Sequence, residues 1–383
     1  MSLLSLAIGF VGFVGFCHFM MALLLPWNRW RTTPLPVGPA PEPAPTVYAL
    51  VPARNEEGNI GDCVRCLLAQ DYPNLRVRVI DDHSTDRTAA IVRELSEKDP
   101  RLELMSAPDL PPGWLGKPHA LHAGTRGLVA DYLCFVDADV RLLPQAIRGA
   151  VNAAEQSGAG LVTLVPRLLT ASFWERAVQP IIAQVVFSLL DPVRVRSPES
   201  EVAVGYGPFM FFRFAAYTAI GGHAAVATEV VEDLRLAQRI KAARWPLAYV
   251  HGVAALELRM YDSLRQIISG WKKNFHVSLG AAQWFAPLGA LLLLLVFAGP
   301  SVALVGSAAF WLLAGSAASA KLLGASLLCY AADWLGRLSL AHSYGVSWRG
   351  MRSLGSAVVA YILCVSSYQA VMGRPVVWRG RAY

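Results

Sequence analysis

Charged side chains are scarce in this 383-residue sequence. Asp, Glu, Lys and Arg make up only 16% of it, whereas 55% of the residues are hydrophobic and the mean hydropathy is +0.41. This composition excludes an ordinary soluble enzyme and predicts that part of the chain lies in lipid. The formal net charge is +7, but we expect no nucleic-acid partner, because the basic residues flank apolar segments and suit anionic lipid headgroups. These residues are Arg29, Arg31, Lys272, Lys273, Arg349, Arg352, Arg374, Arg379 and Arg381.

Cysteine is also sparse, with six residues scattered along the chain. Only Cys63 and Cys66 have the spacing of a metal or redox pair, and no second pair completes a zinc site. We therefore expect both to be reduced helix residues, in keeping with a cytosolic location.

The N-terminal part of the chain predicts an anchor followed by a linker. Residues 1–27 are the predicted transmembrane anchor, because no charged side chain occurs between positions 3 and 25. Arg29 and Arg31 follow at once and place the next domain in the cytoplasm. Residues 28–46 contain six prolines, which predict an extended spacer between membrane and domain.

The C-terminal part returns to the membrane. Residues 261–284 have the pattern of an amphipathic helix in the headgroup region, although a helix packed on a protein core fits the same pattern. Residues 285–373 fit two or three spans, and residues 374–383 form a basic tail. We therefore expect a multi-pass protein of the inner cell membrane with a cytoplasmic folded domain.

The segment between these regions, residues 47–260, has an α/β pattern. Apolar runs alternate with helical stretches that begin near Ile60, Thr85, Pro118 and Pro144, which predicts βαβ units and a mostly parallel, Rossmann-like sheet. The predicted strands are 47–51, 77–80, 102–105, 132–136 and 161–165.

Two aspartates stand at the end of one predicted strand. Asp137 and Asp139 follow the apolar run 132–136, and residues two apart in a strand point to the same side. Ligands of open α/β sheets bind beyond the carboxyl ends of the strands. Hard oxygen donors there suit Mg²⁺ or Mn²⁺ bound to a nucleotide diphosphate, although a solvated turn is an alternative.

Other strand ends add polar groups to the same edge. Pro52, Arg54 and Glu56 follow the first strand. Asp82 follows the second and is the candidate for hydrogen bonds to a uracil edge or to ribose hydroxyls. The adjacent 84–86 segment is better explained as helix capping.

A glycine-bearing loop at 113–120 carries Lys117 at a helix start, where a cation and free amides suit phosphate. His119 and His122 lie three residues apart in the same region, but packing explains them better than metal binding.

An acidic cluster precedes a later helix. Glu232 and Asp233 complement the helix dipole there, and one of them is also a candidate general base that deprotonates an acceptor hydroxyl. Asp233 is the first choice and Glu232 the second. In the loop before this cluster, Gly207 and Phe209 are candidates for lining an acceptor site, and Trp271 of the amphipathic helix is a third.

Together these motifs resemble the family 2 glycosyltransferases, which are membrane-attached inverting enzymes with a GT-A fold, over roughly residues 47–275. The resemblance implies that Asp82 contacts the nucleoside, that Asp137 and Asp139 hold the metal, and that Glu232 and Asp233 form the base motif.

Further segments look like the lipid-directed members that glycosylate carotenoid acids and, more distantly, like hopanoid-associated and ceramide glucosyltransferases. These segments are 221–223, 259–261, 270–275 and 378–383. Processive polysaccharide synthases carry Gln-x-x-Arg-Trp, whereas here Gln266 and Trp271 are one residue too far apart and Gly270 replaces the arginine.

The sequence therefore predicts a GT-A domain with transmembrane and interfacial helices that acts as a metal-dependent, inverting hexosyltransferase. We expect it to move glucose from UDP-glucose to a lipid acceptor such as a carotenoid acid, a hopanoid or a ceramide-like lipid. The alternatives are a processive synthase-like transferase, a catalytically silent membrane scaffold and a nucleotidyltransferase.

Overall fold

The computed structural model of the protein describes residues 2–346, 351–374, 377–378 and 381–382. Arg349 and Arg379, and Gly380 and Tyr383 of the C-terminal motif, lie outside the described residues.

The chain forms two compact units. The first, here called the sheet unit, comprises residues 31–168 and 191–260, and the second, the helical unit, comprises residues 1–30, 169–190 and 261–383. The sheet unit thus begins before the expected boundary at residue 47. Residues 169–190, expected within the folded domain, belong instead to the helical unit.

The strands, in chain order, are β1 (Thr33–Pro34), β2 (Val47–Ala53), β3 (Leu75–Asp81), β4 (Leu102–Ser106), β5 (Tyr132–Val136), β6 (Val140–Leu142), β7 (Leu161–Val165), β8 (Arg167–Leu168), β9 (Phe209–Arg213), β10 (Leu247–His251), β11 (Leu256–Leu258), β12 (Val377–Trp378) and β13 (Arg381–Ala382).

The helices are α1 (Leu3–Arg31), α2 (Ile60–Leu68), α3 (Thr88–Ser96), α4 (Gly116–Thr125), α5 (Ala146–Ser157), α6 (Phe173–Leu189), α7 (Pro192–Arg196), α8 (Phe214–Ala219), α9 (Glu232–Ala242), α10 (Leu264–Leu279), α11 (Ala286–Phe297), α12 (Gly299–Ala314), α13 (Ala317–Tyr344) and α14 (Arg352–Val371). Two 3₁₀ turns, Gly222–Val226 and Gly280–Phe285, complete the set.

The main sheet has the order β1-β10-β7-β9-β5-β2-β3-β4. Its strands pair in parallel except for β9, which lies antiparallel between β5 and β7. The mostly parallel sheet and all five predicted strands are confirmed. A smaller sheet joins β6, β11 and β8.

The core of the sheet unit follows from its apolar runs. Every residue of β5 is buried, as expected for a central strand covered on both faces. On α2, Ile60, Cys63, Val64 and Leu67 are buried at spacings of three and four residues, which is one face of a helix. Cys63 is therefore a core residue, and both Cys63 and Cys66 are free thiols, as predicted.

The proline-rich segment does not form the expected free spacer. Its β1 pairs with β10, and its Leu35 packs against the core of the sheet unit. The side chain of Asn152 donates to the carbonyl oxygens of Gly38 and Pro39, each at 3.0 Å. Backbone carbonyl groups and apolar side chains of the proline-rich segment thus contact the rest of the sheet unit. The segment is therefore part of that unit.

The helical unit contains the apolar helices. Among the described residues, α1 and α14 are long and apolar enough to cross a membrane. The pair Ala282–Phe297 and α12 passes the same test together, bent by 51° between its two helices, so the described residues contain two candidate spans, or three if the pair counts as one. Within this unit, the Trp271 indole of α10 donates to Oε1 of Gln179 at 2.8 Å.

Candidate active site

The carboxyl ends of β2, β3 and β5 meet at one edge of the main sheet. These three strands are neighbours and run in parallel, and Ala53 of β2 is in register with Asp81 of β3. The residues that follow them, Arg54, Asp82 and Asp137, are thereby placed at the same edge, where open α/β sheets bind ligands.

Asp82 is held in a buried polar arrangement. Only 5% of it is exposed, and Nη1 of Arg54 donates to its backbone oxygen at 2.9 Å and lies 3.6 Å from its Oδ2. Nδ1 of His83 is 3.4 Å from Oδ1. His83 and Asn55 both have positive φ, 57° and 54°, a strained conformation that tends to occur at functional sites.

Neighbouring polar residues have structural roles. Asp86 Oδ1 accepts from the backbone N–H of Thr88, the first residue of α3, at 2.9 Å, whereas Ser84 Oγ accepts from the Asn55 N–H at 3.1 Å, so only Asp86 of the 84–86 segment bonds at the helix start. The backbone N–H of Glu56 donates to Thr88 Oγ1 at 2.8 Å, and its carboxylate accepts from Asn59 at 3.0 Å. Glu56 is 6% exposed and stabilises the loop, so it is poorly placed to contact a nucleotide directly.

Lys117 joins two distant parts of the chain. Its Nζ lies 2.7 Å from Oδ1 of Asp137 and 2.8 Å from Oε1 of Glu232. Burial alone would lower the pKa of Lys117, but Asp137 and Glu232 outweigh it and hold the pKa above its ordinary value. The ammonium therefore stays charged and links the end of β5 to the start of α9.

The Gly-Gly-His segment helps to bring these parts together. Gly221 and Gly222 have positive φ, and a side chain at Gly222 would meet the ring of Tyr217 at 2.6 Å. The N–H of His223 donates to the Tyr217 hydroxyl at 3.0 Å. Burial lowers the pKa of His223 to about 3, so its ring is neutral and packs as a core residue.

Asp233 is embedded in backbone donors. Its Oδ2 accepts from the N–H of Gly207 and its Oδ1 from the N–H of Leu234, both at 2.8 Å. Burial, then the charge of Glu232, raises the pKa of Asp233 to about 6, against the opposing effects of Lys117 and the two N–H groups. A carboxylate with this pKa is suited to accept a proton near neutral pH.

Gly207 had been expected to contact an acceptor, whereas its backbone holds Asp233. A side chain at Gly205 would come within 2.5 Å of the Asp233 backbone oxygen, so the Gly-x-Gly spacing allows this loop to approach α9. The spacing was visible in the sequence, but its partner was not.

One acceptor candidate is wrong as a direct contact. The side chain of Phe209 is fully buried in the core, because β9 lies between two strands. Trp271 belongs to the helical unit.

The two histidines of α4 pack as predicted. The ring centroids of His119 and His122 lie 5.6 and 5.2 Å from that of Trp114. Within the described part of the chain, no group of three or more His, Cys, Asp or Glu side chains forms a metal cage.

Two carboxylates still suit a hard cation. Asp137 and Asp139 flank a turn in which Val140 N–H donates to the Asp137 oxygen at 3.2 Å, and both are partly exposed. Mg²⁺ commonly takes one or two protein carboxylates and completes its shell with waters and substrate phosphates. The donor set therefore fits such an ion when it arrives with a diphosphate.

Comparison with known proteins places the fold. Residues 48–221 match the family model described as Glycosyl transferase family 2. The 4,4'-diaponeurosporenoate glycosyltransferases of Staphylococcus aureus strains MRSA252 and USA300 are each 29% identical over 241 residues, which cover 61% of this chain and 60% of those relatives. The match thus spans less than two thirds of their length.

Among solved structures, the mannosyltransferase PcManGT from Pyrobaculum calidifontis, in complex with GDP-Man and Mn²⁺, matches with a TM-score of 0.54 and 20% identity. The match covers 96% of this chain and 99% of that chain. At this identity the similarity establishes the GT-A fold alone.

Proposed function

We propose, from the match of residues 48–221 to the family 2 glycosyltransferase model, that the chain transfers a hexose from a nucleotide donor to a membrane lipid. The observation that carries this proposal is the linked set Asp137, Lys117, Glu232 and Asp233 at the carboxyl edge of the sheet. A metal-side carboxylate and a fixed cation are joined there by direct contact, and the same cation contacts Glu232, the chain neighbour of the candidate base Asp233.

The donor end of the site is assigned to Asp82, Arg54 and Lys117. Asp82 accepts hydrogen bonds from the nucleoside, and Arg54 holds Asp82 in place through the 2.9 Å bond to its backbone. Pro52 lies in β2, the strand that positions Arg54. Lys117 supplies a permanent positive charge near the diphosphate.

Asp137 and Asp139 would hold Mg²⁺ or Mn²⁺. When bound, such an ion neutralises the negative charge that develops on the departing nucleotide diphosphate. The protein's own contribution is to keep both carboxylates at the rigid end of β5.

Asp233 is the proposed base for an inverting reaction. It takes the proton of an acceptor hydroxyl while the nucleotide leaves from the opposite face of the sugar. The N–H of Gly207 orients its carboxylate, and Glu232 keeps Lys117 in position. If the acceptor is a carboxylate, it is already ionised at neutral pH, and Asp233 then orients it.

The acceptor class follows from two supports. The curated relatives are named for glycosylating 4,4'-diaponeurosporenoate, which is a carotenoid acid. The described residues of this chain contain two candidate membrane-spanning helices, or three candidate spans if the bent helix pair counts as one. We therefore propose a polyprenoid acid as acceptor and UDP-glucose as donor. In this proposal the enzyme is a multi-pass protein of the inner membrane with its site in the cytoplasm.

The experiment uses the purified full chain with UDP-glucose, Mn²⁺ and 4,4'-diaponeurosporenoate, with lipid mass spectrometry as readout. The wild type is expected to add one hexose. Asp139→Ala is expected to abolish transfer and Mn²⁺-dependent UDP binding by calorimetry, whereas Glu97→Ala, which removes an exposed carboxylate elsewhere in the sheet unit, is expected to change neither.

Each alternative outcome indicates a different function for this protein. Full activity of Asp139→Ala would refute the metal role. Pyrophosphate release would indicate a nucleotidyltransferase, a growing polymer would indicate a processive synthase, and the absence of both transfer and UDP-sugar hydrolysis would indicate a scaffold.

A further inference from the structure

The net positive charge of the chain comes from the helical unit alone. That unit has twelve Lys and Arg against three Asp and Glu, whereas the sheet unit has 22 against 24. The three acids are Glu175, Asp262 and Asp333. The formal net charge of +7 is therefore the sum of a strongly basic helical unit and a slightly acidic sheet unit.

Two of these cations are buried around a single carboxylate. Nε of Arg337 donates to Oδ2 of Asp333 at 2.8 Å. Nη1 of Arg352 donates to Oδ1 of the same carboxylate, and its Nη2 donates to Gln184 Oε1. The side chains of Asp333, Arg352 and Arg337 are 1%, 4% and 8% exposed. We call this set the arginine cluster.

The cluster has one more positive charge than negative charge. Of the other two acids in the unit, Glu175 forms a capping box with Ser172 at the start of α6, and Asp262 is exposed. His18, whose Nδ1 is 3.5 Å from Asp333, adds no negative charge. Ring faces offset part of this excess, since the Arg352 guanidinium lies 4.7 Å from the Phe297 ring centroid and that of Arg337 lies 5.6 Å from the Trp334 ring centroid. A buried excess of positive charge is still costly, which favours a further anion at this place.

Arg352 offers a specific place for that anion. Among the described residues its Nε is buried and has no hydrogen-bond partner. Arg352 is also the first residue of α14, whose N-terminal end carries a partial positive charge, and the preceding Met351 provides no side-chain cap.

The surroundings are those of a lipid. Within two positions of the cluster residues in the chain, four apolar side chains are exposed, namely Trp334, Leu338, Met351 and Leu354. The 20 residues of α14 are about 30 Å long, the thickness of a bilayer's hydrocarbon core, so its first residue would lie at the level of the headgroups.

We propose that the arginine cluster binds the oxyanion group of a lipid, a phosphate or a carboxylate, which accepts from Nε of Arg352. The guanidinium fork matches both groups. This site needs no sugar donor and no turnover, so it stands or falls separately from the transferase function.

The test measures lipid binding to the purified full chain in neutral detergent. The probes are phosphatidylglycerol, a long-chain fatty acid and zwitterionic phosphatidylcholine, and the readouts are bound lipid by native mass spectrometry and the rise in melting temperature. The wild type is expected to prefer at least one anionic probe over phosphatidylcholine by about tenfold or more. Phosphatidylglycerol preference identifies a phospholipid headgroup as the source, and fatty-acid preference a lipid acid.

Two variants move the result in opposite directions. Arg352→Gln is expected to remove the preference, whereas Asp333→Asn removes the competing carboxylate and is expected to increase anion binding. Lys321→Gln, an exposed cation on the same helix as Asp333, is the matched control and is expected to behave as wild type. A purely structural cluster would instead lose stability in both variants with no opposite change in binding.

Several results would overturn the proposal. They are a wild type that does not distinguish the anionic probes from phosphatidylcholine, an Arg352→Gln variant that keeps the preference, and an Asp333→Asn variant that binds anions more weakly than wild type. Should Arg352→Gln not fold, the wild-type preference and the direction of the Asp333→Asn change decide the question.

Discussion

Replacing Gly207 with alanine tests the role of Asp233 most sharply. The backbone N–H of Gly207 donates to Asp233 Oδ2 at 2.8 Å, and an added methyl group would lie 3.0 Å from that oxygen. Gly207 is not among the glycines with positive φ, so alanine fits the backbone without strain. The change therefore displaces the carboxylate by a few tenths of an ångström and weakens one hydrogen bond to it.

The magnitude follows from the value of that bond. A hydrogen bond to a charged group contributes about 1.5–3 kcal/mol, and one pKa unit corresponds to about 1.4 kcal/mol. If the bond is lost completely, which is the upper limit of this change, the pKa of Asp233 rises from about 6 by roughly one to two units. Because the base acts when ionised, activity falls as pH drops through this pKa. At pH 6 the ionised fraction, and with it the rate, falls about five- to fiftyfold, and most of the loss is regained at alkaline pH.

The assay is kcat/KM for sugar transfer to a lipid alcohol, whose hydroxyl proton the base must take, measured from pH 5 to 9, since this quantity reports the pKa of the free enzyme. Gly38→Ala is the control, because the nearest atom to its added methyl group would be 3.7 Å away, on the Asn152 side chain. A wild-type profile with no acid limb, or a Gly207→Ala profile lowered equally at every pH, would refute the reasoning.

Three other changes give separate tests. Lys117→Met is expected to lower kcat/KM by at least about a hundredfold, because it leaves Asp137 and Glu232 without their shared cation. If this variant bound UDP with wild-type affinity, the proposed position of Lys117 near the diphosphate would be contradicted. Phe209→Ala is expected to reduce the free energy of unfolding by about 3–5 kcal/mol in denaturant titrations, as for a fully buried aromatic side chain. A variant with unchanged stability and a changed KM for the acceptor would instead indicate that Phe209 contacts the acceptor. Lys241→Met leaves three backbone carbonyls without their buried donor and is expected to cost about 3 kcal/mol of stability, which a melting temperature equal to wild type would contradict.

Much of the sheet was predictable because parallel central strands are continuous apolar runs. Residues 132–136 are an example, with turn and helix signals on both sides. The strand β9 (Phe209–Arg213) is not among the predicted strands, since its antiparallel position between β5 and β7 depends on pairing with residues more than 40 positions away. Its short apolar sequence contains no information on that pairing.

The separate site residues were also predictable, but their contacts were not. Strand-end position identified Asp82 and Asp137, and the helix start identified Glu232 and Asp233. The bridge by Lys117 joins positions 20 and 115 residues apart, and only the folded chain brings them together. The proline-rich segment misled for a related reason, because its composition favours extension but does not reveal that the sheet unit offers it partners.

The central claim is that the carboxylates at the edge of this sheet transfer a sugar from a nucleotide to a lipid. Its most direct test is mass spectrometry of 4,4'-diaponeurosporenoate after incubation with UDP-glucose, Mn²⁺ and either the wild type or Asp139→Ala. The account predicts a hexose adduct with the wild type and little or none with the variant. Equal amounts of adduct from both proteins, or no glycosylated lipid from the wild type with any nucleotide sugar and lipid extract, would contradict it.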